Sequence, residues 1–180
     1  MKDADAKMDK SVEATREEFA AIRAGRANPA MFAKITADYY GTQTPLQQLA
    51  SFTSQDARTI LIQPFDIGAM GNIERAIRDS DLGVNPANDG KVLRCVFPEL
   101  TEERRKEYIK LARSKAEDGR VSVRNVRRTA KQALEKLEKD GEVGKDDVTG
   151  AEKKLDAMTK KHVDEVDEML KHKEAELLEV

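Results

Sequence analysis

Three stretches of the chain carry apolar residues at alternating steps of three and four, and this spacing constrains the fold more than any other feature. The first stretch runs from Met8 to Ile22, the second from Tyr108 to Leu137 and the third from Val148 to Leu177. Each apolar stripe is narrow, which is typical of long helices that pack along one face. We therefore predict an antiparallel three-helix bundle.

Local signals predict where these helices begin and end. Gly25 and Pro29 should end the first helix, which is expected to cover residues 2–25. Thr101 is the predicted N-cap of the second helix, and the DGEVG segment at 140–144 separates it from the third. Because 37% of the 180 residues are charged and only 4% are aromatic, long solvated helices and an elongated shape are favoured over a large compact core.

The region between the first and second helices has a different pattern. KITADYYG, RTILIQPF and KVLRCVFP are typical of strands, TQTP and NPANDG of turns, and GNIERAIRDSDLG of a short helix that Gly83 ends. We therefore predict an α+β protein in which residues 26–100 form a small β/α/β domain, inserted into a bundle of residues 1–25 and 101–180.

The chain crosses between these two predicted domains twice. Two short connections allow one domain to swing against the other, so we predict a hinge there. The predicted hinge residues are Arg26, Ala27, Asn28, Pro29, Pro98, Glu99, Leu100 and Thr101.

Local charge is strongly uneven although the net charge is only −2. Between Arg104 and Lys131 there are 11 basic and 3 acidic residues, whereas residues 139–180 hold 8 basic and 13 acidic ones. Positions spaced by three and four from 106 to 131 form a stripe on one helix face, and every residue of this stripe is basic except Glu117. Like charges at this spacing repel one another, and a polyanion would relieve the repulsion. An ordinary solvated helix face is the alternative interpretation.

Arginine predominates in the centre of this stripe, and its planar guanidinium suits phosphate. No aromatic residue is interleaved there, which argues against stacking on single-stranded bases. The expected ligand is the phosphate backbone of folded, double-helical nucleic acid.

Catalytic patterns are missing from the sequence. There is no Gly-rich phosphate loop, and Cys95 with two histidines is too little for a zinc cluster, so we expect no enzyme activity, cofactor or metal. Cys95 and His162 are predicted to be core residues, and His172 a surface residue. No signal peptide or membrane-spanning run is apparent, which predicts a soluble cytoplasmic protein.

Five stretches together resemble one family, the bacterial ribosome recycling factors. They are IRAGRANP (22–29), YYGTQTPLQQLAS (39–51), SDLGVNP (80–86), LTEERRKEYIK (100–110) and RVSVRNVRRTA (120–130), and they occur in family order along nearly the whole chain.

The resemblance implies an L-shaped monomer that binds the ribosome after termination. With elongation factor G and GTP hydrolysis, such a factor separates the subunits and releases messenger RNA and deacylated transfer RNA. Its bundle lies against large-subunit ribosomal RNA, and it needs neither a membrane nor a small-molecule substrate. Functional family arginines match Arg105, Arg124 and Arg127, with Arg104 and Arg128 beside them. With the stripe, the predicted nucleic-acid-binding residues are Arg104, Arg105, Arg113, Arg120, Arg124, Arg127, Arg128 and Lys131.

The sequence departs from the family pattern at Gln43, Gln48 and Thr129. The two glutamines belong to the small domain and bear on how it meets elongation factor G. A generic helical RNA-binding protein or RNA chaperone and a helical interaction scaffold remain alternative functions.

Overall fold

The computed structural model describes residues 1–179 and divides into two compact units. The bundle unit comprises Met1–Phe19 and Ile109–Ala175, and the sheet unit comprises Ala20–Tyr108 with the residues from Glu176 onward. In chain order the helices are α1 (Lys2–Ala21), α2 (Leu46–Leu49), α3 (Met70–Arg78), α4 (Glu102–Lys139) and α5 (Lys145–Leu178). The strands are β1 (Thr36–Tyr39), β2 (Thr42–Pro45), β3 (Ala50–Ser54), β4 (Thr59–Pro64), β5 (Ala87–Asn88) and β6 (Leu93–Val96), and two short 3₁₀ turns cover Pro29–Phe32 and Ile67–Ala69.

The bundle unit is built from α1, α4 and α5, as the heptad stripes predict. The stripe residues at 8, 12, 15 and 19, at 112, 116, 119 and 123, and at 148, 155, 162 and 166 are all buried. Between α1 and α4, Ser11 contacts Ser122 and Glu18 pairs with Lys115, so the residue numbers run in opposite directions. Between α4 and α5, Arg113 pairs with Glu174 and Arg127 with Asp156, so α4 runs antiparallel to both other helices. The predicted fold class is confirmed: a long helical bundle accompanies a small sheet.

Details of the predicted helices differ from the structure. Helix α1 ends at Ala21 rather than at Gly25. Beyond Val123 the predicted buried face is buried only in part: Val126, Ala130 and Leu137 are half-buried, and Ala133 is exposed. The N-cap is confirmed, because Oγ1 of Thr101 accepts a hydrogen bond from the Arg104 N–H at 3.2 Å.

Helices α1 and α4 approach each other closely at Gly119. A Cβ atom at this position would lie 2.2 Å from Oγ1 and 3.2 Å from Cγ2 of Thr15. Thr15 is itself buried, and its hydroxyl donates to the Ser11 carbonyl at 2.9 Å. Glycine is therefore required by the contact between the helices, although it lowers the propensity of α4 for helix.

The sheet unit contains an antiparallel hairpin, β1–β2, and a four-stranded antiparallel sheet with the order β3-β4-β6-β5. Helix α3 presents Ile73 and Ile77 to the core of the unit. Cys95 is buried in β6, as predicted. The largest fully buried side chains of this core are Phe32, Phe97, Leu46, Ile60, Ile62, Ile73, Ile77 and Leu93.

Both predicted turns of the sheet unit are partly wrong. TQTP forms strand β2, and the preceding turn lies at Tyr40 and Gly41, whose φ angles are 48° and 83°. Two successive positive φ angles match the twist of a tight hairpin, which the sequence signal did not locate. The NPANDG segment contains β5 before it turns at Gly90, where φ is 90°.

The contacts divide the chain at slightly different points from the predicted domain boundaries. Residues 20–25, 101–108 and those from Glu176 onward cluster with the sheet unit rather than with the bundle. The guanidinium of Arg23 lies 5.6 Å from the centre of the Phe97 ring. Arg105 donates to the Glu179 carbonyl, so the start of α4 contacts the residue that follows α5. The predicted division into a bundle domain of residues 1–25 and 101–180 and an inserted domain of residues 26–100 stays a prediction.

Within residues 1–179, none of the helices combines the length and apolar character that a membrane crossing needs.

Candidate nucleic-acid interface

All eight predicted nucleic-acid-binding residues lie on α4. Arg104 and Arg105 occupy its first turns, in the sheet unit, and the other six belong to the bundle unit. Arg120 is the most buried residue of the central stripe, with 18% of its side chain exposed, compared with 55% for Arg124.

The central stripe is paired with carboxylates, contrary to our expectation of unrelieved repulsion. Its partners on the neighbouring helix are acidic residues of α5, and their numbers decrease as those of the α4 residues increase because the two helices run antiparallel. The interhelical ion pairs are Arg113–Glu174 at 2.5 Å, Arg120–Asp167 at 2.6 Å, Arg127–Asp156 at 2.7 Å and Lys131–Glu152 at 3.7 Å.

Glu117, the one acid within the stripe, connects two of its arginines. Its carboxylate accepts from Arg120 at 2.9 Å and from Arg124 at 3.3 Å. The hydrogen bond from Arg120 lowers the pKa of Glu117, and the positive charges of both arginines lower it further. Partial burial acts to lower the pKa of Arg120, but its bonds to Glu117 and Asp167 outweigh burial and raise that pKa. Both groups are therefore held in their charged forms.

The two arginines at the start of α4 also have partners. Arg104 pairs with Glu107 at 3.0 Å, and Arg105 donates to the backbone carbonyl of Glu179. Arg128 is different: it is exposed, and within residues 1–179 its side chain has neither an ion pair nor a hydrogen bond. The sequence did not distinguish Arg128 from its neighbours.

The acids of α5 are the residues that sequence reasoning missed. The excess of acids from 139 onward was the available signal. Composition alone, however, does not specify which face of α5 meets α4.

The predicted hinge residues lie in the sheet unit, and several are held by the loop between β3 and β4. The Ala27 N–H donates to the Ala57 carbonyl at 2.8 Å, and Glu99 pairs with Arg58 at 3.3 Å. The Phe97 N–H also donates to the Arg58 carbonyl at 2.7 Å. Neighbouring residues of one loop thus anchor both connections.

Five of the remaining hinge residues have defined local roles or positions. The Asn28 side chain accepts from the Ala30 N–H at 2.9 Å and caps the 3₁₀ turn that begins at Pro29. Arg26 and Pro98 are exposed, and Leu100 is half-buried.

Sequence comparison finds a match along most of the chain. The family model described as ribosome recycling factor matches residues 15–178. The ribosome-recycling factor of Nocardioides sp. is 78% identical over 180 residues, covering 100% of this chain and 97% of that protein. The ribosome-recycling factor of Acidothermus cellulolyticus is 65% identical over 178 residues, covering 99% and 96%.

Solved structures match the fold over similar lengths. A solution structure of the ribosome recycling factor gives a TM-score of 0.76 at 38% identity, covering 99% of this chain and 95% of that one. A second match is the ribosome recycling factor of T. thermophilus in a structure with the E. coli elongation factor G, bound to the E. coli post-termination complex. Its TM-score is 0.66 at 41% identity, and it covers 98% of this chain and 96% of that one.

The bundle, the inserted sheet and these matches define the chain as a translation factor. It belongs to the ribosome recycling factor family.

Proposed function

We propose that this chain recycles ribosomes after translation termination in the cytoplasm. It binds the post-termination ribosome and, with elongation factor G and GTP hydrolysis, separates the subunits and releases messenger RNA and deacylated transfer RNA. The observation that carries this proposal is the match, over 98% of the chain, to a family structure bound with elongation factor G to a post-termination complex.

In this proposal the basic face of α4 contacts large-subunit ribosomal RNA. The face consists of Arg104, Arg105, Arg113, Arg120, Arg124, Arg127, Arg128 and Lys131. Five donors in a fixed plane let each guanidinium bind two phosphate oxygens at once. Phosphate contacts position a protein on RNA without reading its sequence, and positioning is what a mechanical factor requires.

The chain itself catalyses no reaction in this proposal. Elongation factor G supplies the energy of GTP hydrolysis, and the helical bundle transmits displacement to the subunit interface. The two connections at 26–29 and 98–101 provide the hinge. Their shared anchor at Ala57 and Arg58 supports this role, because a change at one loop would affect both connections.

A subunit-splitting assay tests the proposal. Post-termination ribosomes are mixed with the protein, elongation factor G and GTP, and light scattering follows the loss of intact ribosomes. We expect splitting only when all three components are present, and none with a GTP analogue that cannot be hydrolysed.

Ribosome cosedimentation across a salt series separates the alternatives. Salt-sensitive binding to the large subunit without splitting would favour a generic RNA-binding protein or RNA chaperone. Absence of binding at low salt would favour a helical interaction scaffold.

A further inference from the structure

Three polar side chains meet where α1 lies beside α5. The imidazole of His162 is fully buried, and its Nε2 lies 2.7 Å from Oδ1 of Asp9 and 3.6 Å from Oδ1 of Asp5. Its Nδ1 lies 2.8 Å from the Met158 carbonyl oxygen. Nothing in the proposed recycling function uses this cluster.

The hydrogen bond at Nδ1 fixes the orientation of the imidazole. A carbonyl oxygen can only accept, so Nδ1 carries a hydrogen and donates it to Met158. The other nitrogen, Nε2, is thereby aimed at the two carboxylates. Metal-binding histidines are commonly oriented in this way, with one ring nitrogen donating to a backbone carbonyl and the other facing the metal.

The three donor atoms are close enough to share one cation. Asp5 and Asp9 are four residues apart, so both carboxylates lie on the same face of α1. The donor atoms of the two carboxylates and His162 all lie within 4.8 Å of one another. Metal–ligand bonds of about 2.1 Å in a tetrahedral arrangement place two ligand atoms ~3.4 Å apart. The 2.7 Å hydrogen bond between Nε2 of His162 and Oδ1 of Asp9 is shorter than this, so a bound cation replaces it, and a small side-chain rotation of Asp9 makes the room.

We propose that His162, Asp9 and Asp5 bind a divalent transition-metal cation, such as zinc, that joins α1 to α5. One imidazole nitrogen and two carboxylate oxygens suit zinc and its first-row neighbours, and the cluster has no thiolate. The Asp5 and Asp9 side chains are 48% and 64% exposed, so the cation has a route from solvent. The shortage of cysteine and histidine argued against a zinc cluster, but carboxylates supply the other ligands here.

Calorimetric titration of the full-length, tag-free protein with zinc chloride tests the proposal. We expect one zinc ion per chain, and a loss of affinity of about tenfold or more in Asp9→Asn and in Asp5→Asn. Both substitutions keep the side-chain shape at partly exposed positions, and circular dichroism verifies that the helices remain. His172→Gln removes the exposed histidine of the same helix and should leave zinc affinity unchanged.

Nuclear magnetic resonance supplies a second readout that does not depend on affinity. Zinc should shift the ring signals of His162 in the parent protein and leave those of His172 in place. The assignment is overturned if no stoichiometric binding occurs, if Asp9→Asn binds zinc as the parent does, or if His172→Gln abolishes binding.

Discussion

Arg128 differs from the other basic residues of α4 because its charge is not engaged within residues 1–179. Contact with a phosphate would therefore break no internal ion pair. We expect Arg128→Ala to weaken ribosome binding about tenfold, or ~1.4 kcal/mol, and to reduce the salt slope of log K by about one. Cosedimentation at several salt concentrations measures both quantities.

A matched control for Arg128 lies on α1. Arg16→Ala removes the same charge from the bundle unit, where Arg16 pairs with Glu13 at 3.3 Å. This variant should bind ribosomes as the parent does. Equal losses in the two variants would show that net charge, rather than the face of α4, determines affinity.

The environment of Cys95 predicts a thiol that reacts slowly. Burial raises the pKa of the Cys95 thiol to about 11, and the residue is 0% exposed. At pH 8 we expect a thiol reagent to label the native protein ~100-fold more slowly than the denatured protein, because the thiolate is the reactive form. Lys154→Cys adds an exposed thiol as an internal standard, and equally fast labelling of both thiols would contradict the buried placement.

The contact between helices α1 and α4 depends on Gly119. We expect Gly119→Ala to lower the free energy of unfolding by about 1–3 kcal/mol, because its Cβ would overlap Thr15. Gly150→Ala in α5 is the control. No heavy atom lies within 4 Å of the added Cβ there, so this variant should gain about 0.5–1 kcal/mol from helix propensity. Urea denaturation measures both values.

The overlap has a specific partner, so a second substitution should relieve it. Thr15→Ala removes the Oγ1 and Cγ2 atoms that a Cβ at Gly119 would approach most closely. The double variant should therefore be more stable than the sum of the two single changes predicts. If the two losses of unfolding free energy are additive, the cost of Gly119→Ala arises elsewhere in α4 and not from Thr15.

Helices whose apolar residues repeat with a strong period were predictable from the sequence, but the contacts between these helices were not. The heptad stripes predicted all three long helices because buried positions repeat along each one. The ion pairs between α4 and α5 depend on how each helix is rotated and shifted against the other, which neither charge pattern specifies alone. Strand β2 was missed for a related reason: TQTP ends in proline, which is depleted in strands, and the segment is held by pairing with β1.

At the scale of the whole molecule, the anchor shared by the two connections should affect splitting more than binding. Arg58→Ala removes the ion pair to Glu99, whereas the basic face on α4 is untouched. We expect ribosome affinity within about twofold of the parent and a splitting rate several-fold lower. Cosedimentation and light scattering measure the two activities.

Arg94→Ala is the matched control for this experiment. Arg94 also belongs to the sheet unit, and it pairs with Asp89 at 3.3 Å with a similar exposed fraction, 47% against 44%. Its loss should leave splitting unchanged. If Arg58→Ala splits ribosomes at the parent rate, the anchored connections serve only as links in the chain.

The ion pairs between α4 and α5 have a consequence for how the protein behaves among other polyanions. If the basic face binds ribosomal RNA as we propose, Asp156 and Asp167 compete with its phosphates as tethered carboxylates, at an effective concentration of roughly millimolar or higher. A single phosphate displaces only one carboxylate at a time and therefore gains little free energy of binding. A surface that presents many phosphates in register displaces them together. The acids of α5 would thus keep a basic helix from adhering to arbitrary RNA while leaving it able to bind one matched site.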